Sequence, residues 1–221
     1  MRKRLLVGLL TSLLMVGMLS SNVLASFTTY NGGSAAETDW QKASGATNLE
    51  NFESYSAGTQ ISDLPTLGVG FDLLAGGGFP VTYRHGRGTP HGPMHLANFP
   101  GGINNRNRWD DITLHVLDGY KITALGFWNG DGQGDTLTAS AYDASNNVIG
   151  SVGAFRSTFA GFTSDIPISY VVFDGVTGDG WNHLDGLQTN ATVPVPGAVW
   201  LLTSGLAGII GIRKKSRRQL S

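Results

Sequence analysis

Across residues 26–192 no stretch sustains a helical hydrophobic period over three turns; short apolar segments alternate instead with clusters of Gly, Asn, Asp, Ser and Thr. Glycine accepts positive φ without strain, and Asn, Asp, Ser and Thr bond back to their own backbone, so these clusters mark reversals of the chain. What fits between reversals set so close together is a strand. The clearest segments are 112–117, 122–128, 136–142, 148–155 and 168–173, with weaker ones at 49–55, 69–74, 79–83, 159–162 and 183–188. Asp143-Ala144-Ser145-Asn146-Asn147 predicts a hairpin loop, since Asn and Asp tolerate the left-handed backbone of a tight turn. The body is expected to be all-β, with about eight to ten strands. No repeat of roughly 40–50 residues marks propeller blades, and strands at roughly 8–12-residue spacing suit an antiparallel β-sandwich.

Both ends of the chain stand apart from that pattern. Arg2, Lys3 and Arg4 precede an apolar run over 5–19, and Val23-Leu24-Ala25 places small residues where a signal peptidase reads. Residues 1–25 are thus expected to be a signal helix cleaved after Ala25, the alternative being an uncleaved anchor. At the other end an uncharged run over 197–212 is short for a transmembrane helix. It approaches the roughly 20 residues needed to cross a bilayer once 193–196 are counted. Arg213, Lys214, Lys215, Arg217 and Arg218 follow and would keep that end cytoplasmic. A buried core helix would show an amphipathic stripe, which this run lacks; a permanent anchor is the other alternative.

With the ends set aside, 167 residues remain, enough for one domain with one sizeable core. Three of the 15 Lys and Arg lie in the leader and five in the tail, so seven face all 16 Asp and Glu in the body, a net charge of −9. Such a body should avoid nucleic acid and anionic lipid and tolerate cations. The chain has no cysteine, which rules out disulfides and thiolate metal sites.

Val193, Pro194, Pro196, Trp200, Ser204 and Gly205, followed by the apolar run and Arg213, Lys214 and Lys215, resemble the PEP-CTERM sorting signal over 193–218. The resemblance implies export by a Gram-negative bacterium that makes exopolysaccharide. It also implies handling by signal peptidase and then by an exosortase in the inner membrane. The expected location is transiently the inner membrane and finally the cell surface or extracellular matrix.

A second resemblance covers the body. Asn51 to Thr59, Gly68-Val69-Gly70-Phe71, Ile122 to Phe127, Phe159 to Phe162, Pro167 to Phe173 and Leu184 to Leu187 are similar in order to jelly-roll modules attached to such tails. Those modules are similar in outline to carbohydrate-binding modules. The resemblance implies a structural calcium ion held by Glu53 and Asp185, which would join the first strands to the last. The alternative is an exposed Glu53 and a turn-capping Asp185.

A second calcium candidate is Asn129-Gly130-Asp131-Gly132-Gln133-Gly134-Asp135. Asn129, Asp131 and Gln133 alternate as calcium-loop ligands do, but the twelfth position is Ser140 rather than a bidentate carboxylate. A glycine-rich hairpin loop explains the stretch as well, and residues 174–180 share the ambiguity.

His85, His91 and His95 could hold zinc, although glycines and prolines between them deny a common helix face. The preferred expectation is a long exposed recognition loop from Arg84 through Asn105, Arg108 and Trp109. Sugar binding needs flat aromatic faces flanked by hydrogen-bonding groups, which nominates Tyr83, Trp109, Trp128 and Trp181 with Asn105 and Arg108, the alternative being that Trp128 ends an apolar strand in the core and Trp181 covers an edge.

No nucleophile elbow, phosphate loop or dinucleotide fingerprint is present. A glycosidase would betray itself by two adjacent carboxylates, one buried, in a cleft. The expected function is an exported, non-catalytic, glycan-associated surface or matrix protein. A ligand-free adhesive protein and a glycan hydrolase are the alternatives.

Overall fold

In β9 (Leu137–Tyr142) Leu137, Ala139 and Ala141 are buried while Thr138, Ser140 and Tyr142 are only partly so. This is the period of two that half-covered strands require. The structure, a computed structural model, describes residues 25–74, 77–98, 111–130, 136–175 and 182–193, and not the side chains of 85–88.

The described strands form two antiparallel sheets. The first runs β1 (Phe27–Gly32), β11 (Phe159–Ile168), β8 (Ile122–Asn129), β13 (His183–Thr189), β6 (Gly92–Ala97), β5 (Val81–Thr89), with β2 (Asn48–Glu50) also on β13. The second runs β10 (Val148–Ala154), β9, β12 (Tyr170–Gly175), β7 (Ile112–Val116), β4 (Val69–Phe71), β3 (Asp63–Leu64). From β4 onward the chain passes back and forth between the sheets, so that apart from the β5–β6 and β9–β10 hairpins neighbours in space are distant in sequence.

The sheets meet through apolar side chains. Phe127 of the first and Phe173 of the second cross edge to face at 5.1 Å, and Leu96, Leu125, Phe162, Leu184, Leu187, Phe71, Ile112, Leu114 and Val171 fill the space around them. On one side Phe27 of β1 stacks on Phe162 at 5.0 Å and lies where Gly150 of β10 leaves room, while the Asn31 side chain donates to the Gly153 carbonyl. The edge strand β1 therefore closes that side of the sandwich.

An 11-residue helix, α1 (Ser34–Ser44), lies on the outer face of the first sheet, where no helix was expected. Only Glu37 and Trp40 of it are buried, so it carries no apolar stripe for a periodicity search to find. Trp40 anchors it: the indole is fully buried, donates to the Phe162 carbonyl at 3.0 Å, and occupies a seat that Gly126 and Gly161 leave open.

Other boundaries also differ. The segment expected over 49–55 shrinks to β2 because Phe52 turns the chain at φ +59, with its N–H on Glu50 Oε1 at 2.7 Å. The recognition loop expected from Arg84 is a hairpin as far as Ala97, since Arg84 pairs with Met94 and Thr89 with Gly92. The Asp143–Asn147 turn forms as expected: Asp143 Oδ1 accepts the Ser145 and Asn147 N–H groups, and Asn146 is left-handed at φ +62.

Strand register gives the sandwich two distinct ends. Ser26 bonds to Asp165 and Thr192 bridges to Lys121 at one end. Gly32 opposes Phe159, Phe159 opposes Trp128, and Trp128 opposes Asp185 at the other, roughly 23 Å away along β8. No helix among the described residues is long and apolar enough to cross a membrane. The leader over 1–24 and the tail over 194–218, with Pro194, Pro196, Trp200, Ser204, Gly205, Arg213, Lys214 and Lys215, lie outside the described residues; Val193 is exposed.

Candidate functional site

The end remote from Ser26 and Thr192 holds a concentration of buried polar groups around Asp185. β13 bulges there: Gly186 takes φ +50 and the register with β8 shifts between Asp185 and Gln188. A side chain on Gly186 would put its Cβ 2.4 Å from the His91 ring, so the bulge demands glycine for space as well as conformation. Asp185 is fully buried; Oδ1 accepts the Gly186 N–H at 2.6 Å and Oδ2 accepts the Thr89 hydroxyl.

Thr89 belongs to the turn of the β5–β6 hairpin, and Glu53 braces that turn from another side. Glu53 Oε1 accepts the Met94 N–H at 2.7 Å, and a Cβ on Gly92 would meet the Glu53 carboxyl. A third carboxylate arrives from α1: Glu37 Oε1 lies 2.8 Å from His91 Nε2 and accepts the Gln188 side-chain amide. Gln188 Oε1 in turn accepts from Gln41 at 2.7 Å. The hairpin tip is thus held by Glu37, Glu53 and Asp185, drawn from three separate parts of the chain.

The electrostatics follow from this geometry. Burial pushes Asp185 up to about 6, with the Glu53 charge adding to the rise and the Thr89 and Gly186 hydrogen bonds and the His91 charge opposing it. Burial pushes Glu37 the same way. Its hydrogen bond and charge interaction with His91, helped by Gln188 and the Trp128 indole, outweigh burial and leave Glu37 below the usual range. The Glu37 hydrogen bond raises His91 against the effect of burial, with the charges of Glu37 and Asp185 adding to it. Each group thus favours the charged form of the other.

Beyond the tip, His95 Nε2 stands 3.9 Å from Asp185 Oδ2, and the His95 and His183 rings meet edge to face at 5.8 Å. Tyr83 is half-buried and meets the His183 ring at 5.8 Å. Asn182 N–H donates to Asn98 Oδ1 at 3.0 Å, joining the residue before segment 99–110 to the residue after segment 176–181.

Most of the other sequence candidates fall into three groups. Glu53 and Asp185 are brought together around the hairpin turn, with Glu53 exposed and Asp185 buried. Trp128 and Asn129 are built into the sandwich. Trp128 is 3% exposed between Phe159 and His91, which leaves no ring face for a sugar, and the Asn129 amide donates to the Ala154 carbonyl. Asn105, Arg108, Trp109, Asp131 and Trp181 lie outside the described residues, as does the His85 side chain. Glu37, Thr89 and Gln188 were not anticipated: Glu37 sits on the unforeseen helix, and the other two gain meaning only from the bulge and hairpin pairings.

The donor chemistry at Glu53 and Asp185 suits calcium. Both side chains are carboxylates, and the Glu53 charge adds to the rise at Asp185, a repulsion that a divalent cation would relieve. No group of three or more His, Asp or Glu side chains placed to hold a metal ion occurs among the described residues.

A cavity of about 260 Å3 opens at the opposite end, lined by Ser26, Ser44, Thr123, Ser164, Asp165 and Asn190 among others. Asn190 ties its wall: Oδ1 accepts the Thr123 and Ala124 N–H groups at 3.0 and 2.9 Å.

No family model and no curated protein matches the chain. Among solved structures it is similar to a Streptococcus pneumoniae fucose-binding module, at 10% identity and TM-score 0.36, over 60% of this chain and 94% of that one. It is also similar to a DUF4465 family protein from Bacteroides caccae, at 14% identity and TM-score 0.35, over 65% of this chain and 99% of that one. The enzymatically active domain of bacteriophage CBA120 tailspike protein 4 aligns at 10% identity and TM-score 0.26, over 56% of this chain and 19% of that one.

Proposed function

We propose that the chain is an exported surface or extracellular-matrix protein, sorted through its PEP-CTERM-like tail, whose sandwich binds glycan without cleaving it. The observation that carries this is the polarity of the domain. Ser26 and Thr192 sit at one end, and Asp185, His91 and Tyr83 sit at or toward the other. A domain tethered at its terminal end would present its far end outward. Support for a ligand at that end comes from Tyr83, half-buried beside the His183 ring. Signal peptidase, exosortase and the inner membrane are the partners during export, and exopolysaccharide afterwards. Nucleic acid is disfavoured by the body's net charge of −9.

Calcium belongs to the same proposal. Glu53 and Asp185 would hold it, and it would neutralise their charges and tie the loop after β2 to β13.

The test is to produce the full chain in an exopolysaccharide-making Gram-negative host and titrate the purified protein with that polymer. Saturable binding that weakens about tenfold in Tyr83→Ala is expected, within the range for truncating an aromatic contact. Binding that never saturates and ignores Tyr83 would instead favour a ligand-free adhesive protein.

One observation favours glycan hydrolysis: a buried carboxyl raised to about 6 stands near the carboxylate of Glu53. Both Asp185 oxygens are, however, already hydrogen-bonded within a fully buried site. Appearance of new reducing ends in the titrated polymer, lost in Asp185→Asn, would replace binding by hydrolysis.

A further inference from the structure

The backbone N–H of Ser26 donates to Asp165 Oδ2 at 3.2 Å, and the Asp165 N–H returns to the Ser26 carbonyl at 3.1 Å. Ser26 is also the residue that follows the expected leader cleavage point at Ala25. We propose that leader removal converts the Ser26 nitrogen into an α-ammonium that pairs with Asp165 and locks β1 onto β11 more firmly than the amide of the unprocessed chain does. This rests on the export proposed above.

Hydrolysis of the Ala25–Ser26 peptide bond delivers the hydroxyl of water to the Ala25 carbonyl carbon and a proton to the Ser26 nitrogen. The new amine takes up a further proton from solvent below its pKa of about 8. A neutral amide donor thereby becomes a cation at the same position, and a charge-assisted bond to Asp165 replaces an ordinary one. Ala25 and Ser26 are both exposed, so the bond is accessible.

What the pair would hold matters more than the pair itself. Among the described residues β1 has one sheet partner, β11, and its own edge is the seam with β10 formed by Phe27 over Gly150 and by Asn31 on Gly153. A strand that begins next to a chain terminus frays from that end. Asp165 is the one acidic side chain among the lining residues of the cavity at this end, so the new cation would find a single carboxylate there. Lys121 and Thr192 exchange two backbone bonds, 2.9 and 3.0 Å, at the same end, so the other chain end is pinned before the tail begins.

The experiment compares full-length chains exported from a Gram-negative host, with and without Ala25→Phe to block cleavage, each of the two also prepared with Asp165→Asn. Intact mass gives the N-terminus and hydrogen exchange gives the protection of β1 amides. A processed protein beginning at Ser26 is expected to lose about two- to five-fold of its β1 protection on Asp165→Asn, the range for an exposed ion pair. The uncleaved chain should lose much less. Acetylating the mature N-terminus should reproduce the loss without any substitution, and Asp165→Glu should restore part of it. An N-terminus elsewhere would overturn the lock together with the predicted cleavage. A Ser26 terminus with equal losses in both forms, or no effect of acetylation, would overturn the lock alone.

Discussion

Glu37 Oε1 lies 2.8 Å from His91 Nε2, joining α1 to the β5–β6 turn across 54 residues of sequence. The contact is more than half-buried on both sides, with side-chain exposures of 9% and 16%, so it is poorly screened by salt. His91 is raised above its ordinary 6.5 by Glu37, so its contribution is complete below that value and fades as pH rises through the folded pKa. Glu37 is lowered below 4.5, so its contribution is complete above that value and fades as pH falls through its folded pKa. Raising the pH from 6 to 9 should therefore lower the Tm, and Glu37→Gln should remove most of that fall. Calorimetry across that range checks it; an unchanged slope in Glu37→Gln would show that the pair does not stabilise the fold.

On the acid side Asp185 predicts a slope opposite to that of Glu37. Its folded pKa of about 6 exceeds the ordinary 3.8, so the folded state holds the extra proton between those values and loses stability as pH rises through them. Asp185→Asn keeps one acceptor, for the Gly186 N–H, turns the other oxygen into an amide donor facing the Thr89 hydroxyl, and removes the titration. Urea midpoints measured from pH 4 to 6.5 should fall in the parent protein and stay nearly level in the variant.

Much of the sandwich is legible in sequence because strands announce themselves twice, by alternation and by the turns that end them. Leu137-Thr138-Ala139-Ser140-Ala141-Tyr142 does both, and Asn146 takes the left-handed backbone its residue type favours. α1 is hidden because its one large anchor, Trp40, binds through space opened by Gly126 and Gly161, residues 86 and 121 positions further along. The site divides in the same way. Glu53 and Asp185 could be nominated by a resemblance, but Glu37, Thr89 and Gln188 matter only through cross-strand register, which no local pattern specifies. Trp128 shows the reverse hazard: a loop-flanking aromatic that the sandwich has absorbed.

Calcium gives a direct test of the carboxylate pair. Protein stripped with chelator and then titrated with calcium should show a saturable rise in Tm, as binding to the folded state alone requires. Glu53→Ala and Asp185→Ala should each abolish the rise. A flat titration in the parent would remove calcium from the proposed function and leave His91 as the partner that offsets the Asp185 charge.

Trp40→Ala should cost about 3–5 kcal/mol, the usual result of emptying a large buried aromatic site. It also deprives the Phe162 carbonyl of the indole donor. Gly161→Ala probes the same contact without enlarging a hole. Its Cβ would sit 2.8 Å from Trp40 Cδ1 and 2.9 Å from Phe159, so the helix must lift or the rings must shift. Chemical denaturation should show both variants destabilised. A Gly161→Ala variant of parental stability would mean that α1 is not seated on the sheet through Trp40.

The β9–β10 turn isolates a backbone effect from the rest of the fold. Asn146 has φ +62, and the loop is otherwise held by Asp143, which accepts from Ser145, from the Asn147 backbone and from the Asn147 side chain. Glycine reaches that conformation freely, whereas a β-branched residue meets its own carbonyl there, at about 1–2 kcal/mol. Asn146→Gly should therefore leave the denaturation midpoint close to the parent, and Asn146→Val should lower stability by about that amount. Because β10 is an edge strand, loosening this turn should first expose the seam where Gly150 and Gly153 meet β1, and hydrogen exchange should show it there before it shows in the core. Uniform loss of protection across both sheets would place the turn within the main cooperative unit instead.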